Sequence, residues 1–162
     1  MARVGREPRE DLEAAYLSTG RALKGGVLDL LGTDWTWEGK RMHDFGCGSG
    51  RLLKQFLDEA RVAEIHGSDA DREMVDWVRQ NLCPPIAEAT PNGQQPSLDY
   101  PDDHFDLVTA LSVFTHIAEG WSDWLLELRR VLRPGGLLIA TFLDSSYGAT
   151  LTACPGTRTA SG

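Results

Sequence analysis

Residues 41–53 read Arg41-Met-His-Asp-Phe-Gly-Cys-Gly-Ser-Gly-Arg-Leu-Leu53, and this stretch decides the fold. A short strand is expected over about 41–45, then the glycines Gly46, Gly48 and Gly50. A helix should follow, with Leu52, Leu53, Phe56 and Leu57 on one face. A strand that runs through glycines into a helix is how an open parallel sheet builds a ligand seat. Glycine lets the backbone turn sharply and come close to a ligand, and the helix start offers unpaired N–H groups. A tight strand-to-helix turn without ligand would use the same glycines. The spacing is Gly-x-Gly-x-Gly. The nicotinamide fingerprint needs Gly or Ala where Arg51 stands, and no Gly-Lys-Ser/Thr ending marks a phosphate loop.

The next informative residue is Asp69. It lies about 20 residues beyond the bend, at the end of a second strand expected over 64–68. A carboxylate there can accept both ribose hydroxyls of an adenosine. Capping of the following helix falls to Asp71, which leaves Asp69 for a ligand. That helix should bury Met74, Val75, Val78 and Leu82 and end at Pro84-Pro85.

Working outward, residues 9–31 carry apolar side chains at helical spacing, although Gly20, Gly25 and Gly26 argue against one unbroken helix. Trp35 and Trp37 sit in a loop and can cover an edge of the core. Ile86-Ala-Glu-Ala89 is a short third strand, and 105–111 a clear fourth. Over 120–132, Trp121, Trp124, Leu125, Leu128, Val131 and Leu132 form a wide apolar stripe. Pro134-Gly-Gly136 breaks that helix, and 137–143 is a fifth strand. Strand–helix alternation favours a parallel sheet with helices on both faces. From Ser145 the chain turns small and polar and reads as loop or disorder.

The 162 residues, 41% hydrophobic and 25% charged, suit one soluble domain. A net charge of -8 does not suit binding to phosphate backbones, and Arg129, Arg130 and Arg133 read as a solvated helix face. Cys47, Cys83 and Cys154 form no CxxC pair, so neither a metal site nor a disulfide is expected. No apolar run is long enough to span a bilayer and no signal segment is evident, which points to a cytoplasmic protein without membrane partners.

Four segments together resemble the class I S-adenosylmethionine-dependent methyltransferases. Residues 41–53 resemble that family's first motif. Gly67-Ser-Asp-Ala-Asp-Arg-Glu-Met74 is similar to its second-strand acidic motif. Residues 100–117 are similar to its fourth strand with the preceding loop, and 128–138 to its helix–turn–strand signature. The resemblance implies a Rossmann-like three-layer αβα sandwich with a mostly parallel sheet of about five strands, lacking the family's last two strands. It divides the chain into a helical cap (1–40), a cofactor-binding core (41–144) and a polar tail (145–162). Strand five would then be an open apolar edge, a place for self-association.

By position, the resemblance assigns Gly46, Gly48 and Gly50, with Cys47, to the passage beneath the methionine and ribose of S-adenosylmethionine. Asp44 would orient the bend and meet the amino group. Asp69 would hold the ribose and Ala70 touch the adenine. Asn92 stands in for the acid that often binds the adenine amino group, and it is equally an Asn-Gly turn residue. Leu111 and Ser112 would flank the methionine.

Methyl transfer from a sulfonium is an in-line displacement by an acceptor that the protein must align. No Asn/Asp-Pro-Pro-Tyr run follows strand four, which speaks against adenine-amino methylation, and no Pro-Cys pair, which speaks against cytosine-C5 methylation. His116 is a candidate base, and a loop-holding histidine would look the same. Tyr16 and Arg21 can reach the cofactor from the cap, or form ordinary helix surface. The expected function is transfer of a methyl group to a small-molecule, sugar or lipid acceptor. The alternatives are a truncated, non-catalytic remnant and a nicotinamide-dependent oxidoreductase.

Overall fold

The computed structural model describes residues 9–117, 119–143 and 149–155. Its elements in chain order are α1 (Arg9–Leu31), β1 (Arg41–Phe45), β2 (Glu64–Asp69), α2 (Arg72–Leu82), β3 (Glu88–Pro91), β4 (Phe105–Ala110), α3 (Trp121–Val131), β5 (Leu132–Leu143) and β6 (Ala149–Pro155). The sheet order is β3-β2-β1-β4-β5-β6. The first five strands in that order run parallel, and β6 pairs antiparallel with β5. The chain runs outward from β1 to β3, then returns to place β4 on the other side of β1. That reversal opens a crevice at the carboxyl ends of β1 and β4.

Side-chain alternation along the strands divides the core in two. Met42, Ile65, Leu107 and Ile139 face Val75, Val78 and Leu82 of α2 and Val27 of α1. Phe45, Val108, Ala110 and Ala140 face Trp124, Leu128 and Val131 of α3. The result is the expected αβα sandwich. Trp35 and Trp37 pack against the first cluster as its cover.

Several local expectations are corrected. The first helix is unbroken through Gly20, Gly25 and Gly26. Gly20 serves close approach: a Cβ there would stand 2.9 Å from the Arg51 carbonyl oxygen. The segment after the glycine bend is not an α-helix but two 3₁₀ turns, Leu53–Phe56 and Glu59–Arg61. A 3₁₀ turn brings residues three apart onto one face, so Leu53 and Phe56 are both fully buried. On α2, Met74 is 41% exposed rather than buried, and on α3 Trp121 is 48% exposed. The third strand lies two residues later than expected, with Asp69 beside Pro91.

Pro134, Gly135 and Gly136 do not merely end α3. The helix stops at Val131, and 133–136 form a bulge in β5, between the Phe105–Leu132 and Leu107–Leu137 pairings. Gly136 passes the Asp106 carbonyl closely enough that a Cβ would stand 3.1 Å from it.

The reading of 145–162 as loop or disorder is overturned for 149–155, which form β6. Residues 144–148 and 156–162 lie outside the described residues. Backbone pairing requires N–H and C=O groups, not apolar side chains, and the edge of β5 offers them from Leu137 to Leu143. Because β6 covers that edge, the expected self-association through it is withdrawn. Among the described residues the five expected strands form the parallel part of the sheet, and β6 adds a sixth, antiparallel one.

The three arginines are not a free basic face. Arg130 pairs with Glu127 and Asp102, and Arg133 with Asp106. No described helix is long and apolar enough to cross a membrane.

Candidate cofactor site

The glycine bend is fastened to the end of β2. The Ser68 carbonyl accepts the N–H groups of Gly46 and Cys47 at 2.8 and 2.9 Å. The Asp69 carboxylate accepts the Gly48 N–H at 2.7 Å through one oxygen and the Asp71 N–H at 2.9 Å through the other. Asp71 in turn caps α2 by accepting from Glu73 and Met74, as expected, while Asp69, expected to be left for a ligand, braces the bend.

Two cavities flank the bend and meet at Gly46 and Ser112. The larger, of about 440 Å³, is lined by Asp69, Ala70, Asn92, Ser112, His116 and Trp124 among others. The smaller, of about 190 Å³, is lined by Asp44, Gly46, Cys47, Gly48, Ser49 and Leu111 among others. The structure thus brings Asp44, Gly46, Cys47, Gly48, Asp69, Ala70, Asn92, Leu111, Ser112 and His116 to one crevice. Arg21 lines neither cavity.

Gly50, expected beneath the ligand, faces the core instead. Its φ is +75°, and a Cβ there would stand 2.6 Å from Leu82 Cδ1 and 3.1 Å from Val78 Cγ2. It lets the chain pack on α2. Gly48, by contrast, has φ +52° and nothing within 4 Å of a Cβ position, so its open side belongs to the smaller cavity.

Asp44 is buried, and its carboxyl accepts the Thr109 hydroxyl at 2.7 Å. Burial pushes its pKa up to about 7, against the lowering effect of the Thr109 bond and helped by the Asp69 charge. Burial likewise pushes the Cys47 thiol up, so it is a neutral lining group rather than a nucleophile. Beneath the site, His43 Nε2 meets Ser68 Oγ at 3.0 Å.

Sequence reasoning missed Val113 and Thr109. Val113 packs on Gly46 so closely that a Cβ on Gly46 would overlap its Cγ2. Thr109 reaches Asp44 because the two are register partners of β4 and β1, and register between non-consecutive strands leaves no mark in the sequence. Tyr16 reaches the bend rather than either cavity: its hydroxyl donates to the Ser49 carbonyl at 3.0 Å and lies 3.2 Å from Ser49 Oγ. Arg51 stacks on its ring, 5.2 Å from the centroid.

A family model described as a methyltransferase domain matches residues 43–140. The chain is 34% identical over 133 residues to a demethylmenaquinone methyltransferase of Deinococcus radiodurans, covering 82% of this chain and 54% of that protein. It is 31% identical over 110 residues to a fatty-acid O-methyltransferase of Mycolicibacterium smegmatis, covering 68% of this chain and 39% of the relative. A solved SAM-dependent methyltransferase from Aquifex aeolicus superposes with a TM-score of 0.60 at 21% identity, covering 74% of this chain and 63% of that one. That likeness supports the fold. The chain spans about half the length, or less, of these two curated relatives.

Proposed function

The chain belongs to the methyltransferase-domain family, and from that membership we propose that it transfers a methyl group from S-adenosylmethionine to a small, largely apolar acceptor. S-adenosylmethionine is the cofactor that membership implies. The observation that carries the reading is the Asp69 carboxylate, aimed at the glycine bend where two cavities meet.

The residues present fit that cofactor. Asn92 Oδ1 is buried without a hydrogen-bond partner and belongs to a residue lining the larger cavity, so it can accept from an adenine amino group. Asp69 would hold the ribose, and Ala70 the adenine face. Asp44, Gly46, Cys47, Gly48, Leu111 and Ser112 would hold the methionine part. When bound, the cofactor supplies an activated methyl group on a sulfur cation.

The chain's own task is alignment and exclusion of water. Val113, Ile117 and Trp124 give the larger cavity an apolar wall for the acceptor. His116 lines the same cavity and is the candidate to take a proton from an acceptor hydroxyl. The names of the relatives, which act on a menaquinone precursor and on fatty acids, support an apolar acceptor.

Titration calorimetry with S-adenosylhomocysteine and with NAD tests the cofactor. Binding of the first and not the second is expected, and preference for NAD overturns the reading. Release of labelled methyl onto a panel of quinols, fatty acids, sugars and an RNA oligonucleotide tests the acceptor. Transfer to RNA alone, or to sugars alone, overturns the apolar assignment. Binding of S-adenosylhomocysteine without transfer to any acceptor would leave the non-catalytic reading.

A further inference from the structure

We propose that Glu64, His66 and His104 form a binding site for one divalent transition-metal ion of the zinc class, at the foot of the sheet. Nothing in the cofactor reading requires it, and the composition of the cysteines gave no hint of it.

Glu64 and His66 are two apart on β2, so they project from the same face. His104 immediately precedes β4, two strands away in the sheet order, and its backbone N–H is held by the Val131 carbonyl at 2.8 Å. The three residues' ligand atoms lie within 4.8 Å of one another. His66 Nε2 and Glu64 Oε1 are 3.1 Å apart. With zinc bonds of about 2.0–2.1 Å, ligands on a tetrahedral ion sit roughly 3.3 Å from each other. One pair is therefore already spaced for the ion. His104 closes the remaining gap by turning its side chain by roughly 1–1.5 Å.

The surrounding contacts orient the ligands, as outer partners do at metal sites. The His66 side chain is only 7% exposed, and its Nδ1 meets the Tyr100 hydroxyl at 3.3 Å, which aims Nε2 at Glu64. Tyr100 stacks on His104 with ring centroids 5.7 Å apart at 20°. Arg41 Nε donates to Glu64 Oε2 at 2.9 Å and leaves Oε1 turned inward. That bond, foremost, holds the Glu64 carboxyl below its usual range, so it is ionised. His104 is held below its usual range, chiefly by burial.

Two imidazoles and one carboxylate suit zinc, cobalt or nickel better than magnesium or calcium. The Arg41 charge beside Glu64 weakens the attraction, so affinity in the micromolar range is expected. The Glu64 side chain is 46% exposed, which leaves an entry path and a fourth position for water. Glu64 and Asp69 stand at opposite ends of β2, roughly 16 Å apart at the rise of a strand, so the two sites are separate.

The test uses the full untagged chain titrated with Co²⁺ and Zn²⁺, followed by calorimetry and the visible spectrum of cobalt. One ion per chain is expected, with the visible bands of a four-coordinate cobalt site. His104→Ala and Glu64→Gln, both on partly exposed side chains, should each weaken binding by about tenfold or more, as loss of a ligand does. S-adenosylhomocysteine affinity should stay within about twofold in both variants, which confirms that they fold. Unaltered metal binding in the double variant overturns the proposal. So does a thiolate-to-cobalt band in the near ultraviolet, which would place the ion on a cysteine, or failure to bind either metal.

Discussion

Gly48 donates its backbone N–H to the Asp69 carboxylate at 2.7 Å, so the acid expected to meet a ribose also braces the bend beneath it. Asp69→Ala should therefore act twice. Affinity for S-adenosylhomocysteine, measured by calorimetry, should fall on the order of 100-fold, because hydrogen bonds to a charged group contribute about 1.5–3 kcal/mol. Stability should fall by about 1 kcal/mol, the scale of a lost capping acceptor. Undiminished affinity in a folded variant would remove Asp69 from the site.

Gly46 and Gly48 share a left-handed backbone but not their surroundings. Both carry positive φ, +75° and +52°. Gly46→Ala places a methyl group on Val113 and should lose about 1–3 kcal/mol, read from the midpoint of urea unfolding. Gly48→Ala meets open space and should lose only about 1–2 kcal/mol of backbone strain. Its methyl group nonetheless enters the smaller cavity, so its larger effect should be on cofactor affinity.

His43 and Asp44 are buried neighbours that titrate with opposite sign. Burial first, then the charges of His66 and His104, hold His43 down to about 3. Between pH 3 and 6.5 the unfolded chain binds the extra His43 proton, so this residue makes stability rise with pH. Asp44, raised from 3.8 to about 7, binds its proton in the folded chain across that window, so it makes stability fall with pH. The two slopes oppose each other in the native protein. Asp44→Asn should remove the falling one: its stability relative to the native chain should increase from about pH 4 to pH 7 and then level off. A flat difference across that range in urea unfolding would contradict the buried, proton-holding carboxyl.

Tyr16 joins α1 to the bend through Ser49. Tyr16→Phe removes the hydroxyl and keeps the ring on which Arg51 stacks. A part-buried hydrogen bond is worth about 0.5–1.5 kcal/mol, so cofactor affinity should drop by about three- to tenfold. The helical content seen by circular dichroism should not change. No change in affinity would make α1 a bystander to the bend.

Much of this was legible along the chain because it is local. Strand, glycine, glycine, helix cap and acid are neighbours in sequence, and the positions of β1, Asp69, the Asp71 cap and β4 follow from that order. The resemblance to the methyltransferases rests on the same local runs. What could not be read depends on partners far apart in the chain. Gly50 looked like part of the ligand seat, and only the packing of α2 turns it toward Val78 and Leu82. The tail looked too polar to be a strand, and the unpaired edge of β5 makes it one, since a ladder takes backbone groups whatever the side chains. Thr109 joins Asp44, and His104 approaches Glu64 and His66, because the chain returns to lay β4 beside β1. Short-range chemistry determined which elements form and where the bend lies; the order of strands in the sheet decided which side chains meet, because side-chain contacts act over a few ångströms in space whatever the distance along the chain.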